Sequence, residues 1–140
     1  MIVVVAPGQG SQTPGFLEPW IADPAHRTRL ERYSEAAGID LVAHGTVSDA
    51  DTIRDTAIAQ PLIVAASLLS AHALLDGRRE RVGAVAGHSV GEFAAAAVAG
   101  VLSDVDAVRL VRERGLAMAD AAAVVPTGMS AVLGGDEDAL

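Results

Sequence analysis

The sequence predicts an α/β fold, a parallel sheet with covering helices, and three observations predict it. Residues 1–6 (Met-Ile-Val-Val-Val-Ala) form a continuous apolar run, as in a parallel strand covered on both faces. Residues 83–87 form a second short apolar run, which leads directly into Gly87-His88-Ser89-Val90-Gly91. Segments with helical period and capping residues separate and follow these runs. That alternation builds a sheet whose site lies at the carboxyl ends of its strands.

The first strand, near residues 2–6, opens into a loop over residues 7–15 (Pro-Gly-Gln-Gly-Ser-Gln-Thr-Pro-Gly). Its glycines suggest a nucleotide cradle, but the spacing fails, because Thr13 stands where a dinucleotide fingerprint needs glycine. A phosphate loop ending in Gly-Lys is excluded too, since the chain contains no lysine. Asp23-Pro24 is a cap and first-turn signal for a helix over 24–37 that ends near Gly38. Asp49-Ala50-Asp51 caps a shorter one. Gln60-Pro61 opens a long apolar helix, and its stretch 62–75 is apolar all round, which marks a buried helix too short to span a bilayer. Arg78-Arg79-Glu80-Arg81 precedes the second strand, as a solvated turn or as a basic docking patch. Ser103-Asp104 starts a helix running to Ala121. Residues 127–133 read as a strand, Gly134-Gly135 as a turn, and the acidic residues 136–138 as the first turn of another helix.

The chemistry concentrates in Gly87-His88-Ser89-Val90-Gly91. Gly-x-Ser-x-Gly between a strand and a helix is the nucleophile-elbow pattern of hydrolase-like sheets, a sharp turn that lifts the serine hydroxyl above the sheet. Gly87 and Gly91 are required where strand and helix nearly touch. The bland alternative is a tight turn with a capping serine. In the loop over 7–15, Gly8 and Gly10 around Gln9 would let a backbone N–H and an amide side chain face a substrate oxygen, as an oxyanion hole requires; an ordinary surface turn is the alternative. On the helix from 104, Ala107, Leu110, Val111, Arg114, Ala117, Met118 and Ala121 fall on one stripe, while Asp106, Arg109, Arg112, Glu113 and Asp120 lie off it and face water. Arg114 in an apolar stripe needs an anion, either a structural carboxylate or a ligand carboxylate held by two parallel hydrogen bonds.

A serine nucleophile also needs a base. His88 is adjacent to Ser89, but neighbouring residues at an elbow point in different directions; His26, His44 and His72 have no motif context, and His72 reads as a packed or rim histidine. No histidine pair at metal spacing and no cysteine exists, so no metal site or disulfide framework is implied, and a reducing, cytoplasmic compartment follows. The apolar start is too short for a signal peptide and lacks a basic lead. A chain 51% hydrophobic and 20% charged suits one compact domain or a large part of one. Its net charge of −8 argues against nucleic-acid binding.

Three segments together carry a resemblance: Pro7-Gly8-Gln9-Gly10-Ser11-Gln12, Gly87-His88-Ser89-Val90-Gly91-Glu92 and Arg109-Leu110-Val111-Arg112-Glu113-Arg114-Gly115. In order and spacing they are similar to the signatures of the malonyl-CoA:acyl carrier protein transacylases of bacterial fatty-acid synthesis. The resemblance implies a malonyl group passed from malonyl-CoA, through an ester on Ser89, to the phosphopantetheine thiol of acyl carrier protein. It implies an oxyanion hole from Gln9 and Val90, Arg114 on the malonyl carboxylate, and Gln60 and His88 among the substrate-binding residues. The branched Val90 resembles malonyl-selective rather than methylmalonyl-selective members. It implies no cofactor, no membrane, and a monomer as the full-length enzyme. Residues 1–126 would be the amino-terminal part of a large α/β subdomain and 127–140 the start of a small ferredoxin-like one. The family's base histidine comes later in sequence, so the 140 residues alone are expected to be inactive. The carrier is itself acidic, so docking would need a local basic patch, for which Arg78, Arg79 and Arg81 are the dense candidate. Alternatives are a serine esterase or thioesterase, a polyketide-synthase-associated acyltransferase, and a non-enzymatic binding or assembly role.

Overall fold

A computed structural model describes residues 1–125 and residue 134; the strand and helix expected over 127–140 lie outside the described residues. Two strands, β1 (Ile2–Ala6) and β2 (Val82–Gly87), pair in parallel, and six helices cover them: α1 (Glu18–Ile21), α2 (Pro24–Ala37), α3 (Leu41–Thr46), α4 (Thr56–Leu75), α5 (Gly91–Val98) and α6 (Asp104–Val124). In register, Val5 lies beside Ala86 and Ala6 beside Gly87, so both strands end together under the elbow. The core is helical: Leu30 and Tyr33 of α2, Ile63 and Leu68 of α4, Ala94 of α5 and Val111 of α6 are buried together.

The caps act where the side-chain chemistry requires. The Asp23 carboxylate accepts from Ala25 N at 2.8 Å with Pro24 in the first turn, and α2 ends at Gly38. Ser103 accepts from Asp106 N at 3.1 Å to start α6. Asp49 caps only a 3-10 turn, Thr52–Arg54, accepting from Thr52 N at 2.8 Å.

Five expectations change. The long apolar helix begins at Thr56, capped by Asp55, and not at Gln60-Pro61. At 20 residues α4 is long and apolar enough to cross a membrane, yet it is packed among α2, α5 and α6 in the core. Pro61 therefore sits inside a helix, where it lacks the N–H that would reach the Ala57 carbonyl. Arg112 fills that gap: its Nη1 donates to Ala57 O at 2.6 Å, so Arg112 is half-buried rather than free in water. The buried stripe of α6 is also rotated from the expected one. Ala107, Val108, Val111 and Gly115 face inward while Leu110 is 46% exposed. Gly115 sets that rotation, because a β-carbon there would press on Thr56 O and Ala57 Cα at 3.1 and 3.2 Å. Finally, the described residues cover one face of the sheet only. Val3 and Val5, 54% and 69% exposed, lie beside the exposed Ala84 and Ala86.

At the end of α4 remote from Thr56, a polar cluster joins three helices. Asp104 Oδ2 accepts from Tyr33 OH at 2.7 Å and lies 2.6 Å from His72 Nε2 and 3.8 Å from Arg29 Nη1. Burial alone would raise the Asp104 pKa; the hydrogen bonds from His72 and Tyr33, with the charges of His72 and Arg29, outweigh it and hold the carboxyl below its ordinary value. Tyr33 is pushed well above the usual phenol range, by burial first and then by its bond to Asp104. His72 is thus a packed, paired residue.

Candidate active site

Ser89 has φ +54°, the one non-glycine residue with positive φ among the described residues. A β-carbon in that region crowds its own backbone, at a cost of roughly 1–2 kcal/mol, so the surroundings must hold it there. They do. Gly91 N donates to His88 O at 3.0 Å and Glu92 N to Ser89 O at 3.1 Å, closing the turn. A side chain on Gly91 would strike the carbonyls of Ala6 and Pro7, and one on Gly87 would strike the backbone of Gly91 and Glu92. Both glycines stand where strand and helix touch.

The loop after β1 meets this turn. His88 N donates to Ala6 O at 3.1 Å, and the His88 ring lies directly against Gly8, leaving no room for a side chain there. Gln12 fixes the loop's far side: its Oε1 accepts from Gly10 N at 2.9 Å and its Nε2 donates to Ile53 O at 3.1 Å. The Gln9 amide faces Thr56 Oγ1 at 3.4 Å and Arg54 O at 3.5 Å. The Gln9 amide nitrogen is thus engaged by groups of the protein itself. The hydrogen bonds among the described residues leave the N–H groups of Gln9 and Val90 without an acceptor. Both residues line the same cavity as Ser89, about 490 Å³ in volume, together with Gln12, Arg54, Gln60, His88, Arg114 and Met118.

Arg114 crosses this cavity. Its Nη2 donates to Ser89 Oγ at 2.9 Å and its Nη1 to Gln60 Oε1 at 2.6 Å. No ion pair among the described residues includes it, so both partners of this half-buried guanidinium are neutral. Of the two anions the sequence left open, the described residues supply no carboxylate. Gln60 is only 1% exposed, and its Nε2 donates to Met118 Sδ at 3.2 Å. Gln60 thus lines the cavity nearly sealed, its two amide ends taken by Arg114 and Met118.

The structure brings together every expected site residue: Ser89, Gln9, Val90, Arg114, Gln60 and His88. Sequence reasoning gave no role to Gln12 or Thr56 and took Met118 as core. Met118 lies one helical turn past Arg114, a signal that was available. The other histidines are engaged elsewhere: His72 with Asp104, His44 with Ser48 Oγ at 3.1 Å, and His26 edge-on to Trp20 at 5.8 Å. The basic run at 78–81 precedes β2 while Ser89 follows it, so a strand of six residues, about 20 Å, separates patch from nucleophile. Arg79 moreover donates to the carbonyls of Ala97 and Val98, both at 3.4 Å, at the end of α5.

The chain as a whole is similar to known proteins. A family model describing the acyl transferase domain matches residues 3–138. The chain is 55% identical over 140 residues to a malonyl CoA-acyl carrier protein transacylase of Mycobacterium tuberculosis, covering 98% of this chain and 46% of that protein. The crystal structure of MCAT from Mycobacterium tuberculosis superposes with a TM-score of 0.92 at 52% identity, over 99% of this chain and 47% of that one. A type II PKS acyl-carrier protein in complex with its malonyl-transacylase offers a further likeness, with a TM-score of 0.78 at 33% identity over 89% of this chain and 40% of that chain. The chain spans less than half the length of the curated relatives it matches. With its serine elbow, glycine-rich loop and arginine in one cavity, the chain belongs to the acyl transferase domain family.

Proposed function

We propose that this chain carries the nucleophile, oxyanion hole and carboxylate-binding arginine of an enzyme that moves a malonyl group from malonyl-CoA to acyl carrier protein. Ser89 Oγ attacks the thioester carbonyl, giving its proton to a base that the proposal places outside residues 1–125. The oxyanion formed rests on the N–H groups of Gln9 and Val90. The carbon–sulfur bond breaks, CoA leaves as its thiol with the base's proton, and a malonyl ester remains on Ser89. The phosphopantetheine thiol of the carrier, giving its proton to the same base, then attacks that ester; a malonyl thioester forms on the carrier, the ester carbon–oxygen bond breaks, and Ser89 Oγ recovers its proton from the base. The observation that carries this reading is the half-buried Arg114 guanidinium, 2.9 Å from Ser89 Oγ and without a carboxylate partner among the described residues. A malonyl group brings the missing anion, and an acetyl group does not.

The reading includes a division in which residues 1–126 belong to a large hydrolase-like subdomain and 127–140 begin a small ferredoxin-like one. It also places the enzyme in the cytoplasm as a monomer and assigns it to fatty-acid synthesis. A type II polyketide pathway is the second reading, favoured by the likeness to a malonyl-transacylase solved with a carrier of that kind. The position of the 78–81 patch at the far end of β2 favours neither pathway and argues for carrier docking elsewhere.

The test is an assay of the complete enzyme that carries this chain, given malonyl-CoA with and without the phosphopantetheinylated carrier. Carrier-dependent appearance of malonyl-carrier supports the transfer. Release of free malonate at the same rate with or without carrier would make the enzyme a thioesterase.

A further inference from the structure

We infer that Met118 is a positioning residue for malonyl selection, acting through Gln60 on Arg114. The inference rests on the reading that Arg114 receives the malonyl carboxylate.

The argument starts from a buried amide. Gln60 is 1% exposed, so both ends of its side chain must find partners inside the protein. Arg114 has donors only, so the Gln60 oxygen must face it, at 2.6 Å from Nη1. That choice fixes the other end. The Gln60 NH₂ group must point away, and among the described residues its acceptor is the Met118 thioether, 3.2 Å from Nε2. Were the amide turned over, its NH₂ would oppose the guanidinium and Arg114 would lose the partner of Nη1. Met118 Sδ therefore satisfies the NH₂ end that this orientation buries and so secures it, and Gln60 holds one arm of the Arg114 fork. The other arm stays on the Ser89 side of the cavity, available to a carboxylate.

The helix supplies the spacing. Arg114 and Met118 are one turn apart on α6 and face the same cavity, while Gln60 comes from α4, which Gly115 brings close. A leucine at 118 would keep volume and apolarity but remove the acceptor. It would leave a buried NH₂ group unpaired beside the arginine. The loss falls on donors that use Arg114 and spares those that do not.

The test compares malonyl-CoA and acetyl-CoA as donors in the complete enzyme, for the unaltered protein, Met118→Leu, Met118→Gln and Arg114→Ala. Met118→Leu should lower kcat/KM for malonyl-CoA about ten-fold, mainly through KM, as expected for one buried polar group left unpaired. Acetyl transfer should change less than about two-fold, so the malonyl-to-acetyl ratio falls by most of that factor. Met118→Gln, of similar length and with an oxygen acceptor, should restore the ratio. An unchanged ratio in Met118→Leu, or an equal fall for both donors, would overturn the inference, since packing alone moves both alike. If Met118→Leu does not fold, Met118→Ala takes its place and is read against Met118→Gln: a ratio lowered in Met118→Ala and retained in Met118→Gln supports the role, and a ratio unchanged in Met118→Ala or lost in Met118→Gln overturns it. Arg114→Ala separates the two levels. If it too leaves the ratio unchanged, the carboxylate reading fails. If it abolishes the preference while Met118→Leu does not, only the Met118 role fails.

Discussion

At the scale of single residues, one cavity holds both the strained Ser89 backbone and a half-buried guanidinium with no carboxylate partner among the described residues. Ser89 is held in the left-handed region by a turn that Gly87 and Gly91 make possible. A glycine at position 89 adopts that conformation without its steric penalty, so in an Arg114→Ala background, where no Ser89–Arg114 hydrogen bond is lost, Ser89→Gly should raise the free energy of unfolding by roughly 0.5–1 kcal/mol. Urea denaturation of the variant checks this, and a lowered midpoint with unchanged slope would contradict the strain. Much of this level was legible in sequence. Gly-x-Ser-x-Gly names its serine because few other residues satisfy so tight a turn, and Arg114 stood out because a guanidinium is rare in an apolar stripe. What stayed hidden was the identity of the partners. That Gln60 would be sealed between Arg114 and Met118, 54 and 58 residues away along the chain, depends on how closely two helices approach, and periodicity carries no such distance.

At the scale of elements, α4 and α6 position the site, and two polar devices fasten them. The first sits beside the site, where Arg112 bonds the carbonyl that Pro61 leaves open. Arg112→Leu should destabilise by about 1.5–3 kcal/mol, the range for a hydrogen bond from a charged donor. Pro61→Ala returns a backbone N–H to Ala57 O, so the same change in that background should cost under about 1 kcal/mol. Equal costs in both backgrounds, from thermal or urea unfolding of the four proteins, would contradict the pairing. The second device is Asp104 with Tyr33, His72 and Arg29 at the other end. Because the folded Asp104 pKa lies below its ordinary value of 3.8, its stabilisation is present above that value, begins to fall within about a unit of it, and is lost as pH falls through the folded one. The unaltered protein should therefore lose stability more steeply than Asp104→Asn on acidification below about pH 5, and parallel curves would contradict this. Sequence showed the start of α6 but not that of α4. Gln60-Pro61 looked like a beginning since proline favours first turns; Asp55 supplied the cap earlier, and Arg112 made an interior proline tolerable.

At the scale of the whole molecule, two strands and six helices among the described residues bring the loop, the elbow and Arg114 to one cavity. The strand reading was sound in position: β1 covers 2–6 as expected, and β2 begins one residue earlier than expected. Coverage was the part composition could not supply. Val3, Val5, Ala84 and Ala86 are as apolar as a doubly covered strand demands, yet the described residues leave that face open. The loop, elbow and arginine converge because parallel pairing ends both strands at one edge and α6 returns antiparallel along α4. The measurement that bears most directly on this convergence is peptide mass mapping of the complete enzyme after brief, separate exposure to malonyl-CoA and acetyl-CoA without carrier. A malonyl ester on the peptide containing Ser89, far exceeding any acetyl ester there and lost in Arg114→Ala, is the predicted result. Modification at another residue, or equal malonyl and acetyl loading of Ser89, would contradict the account.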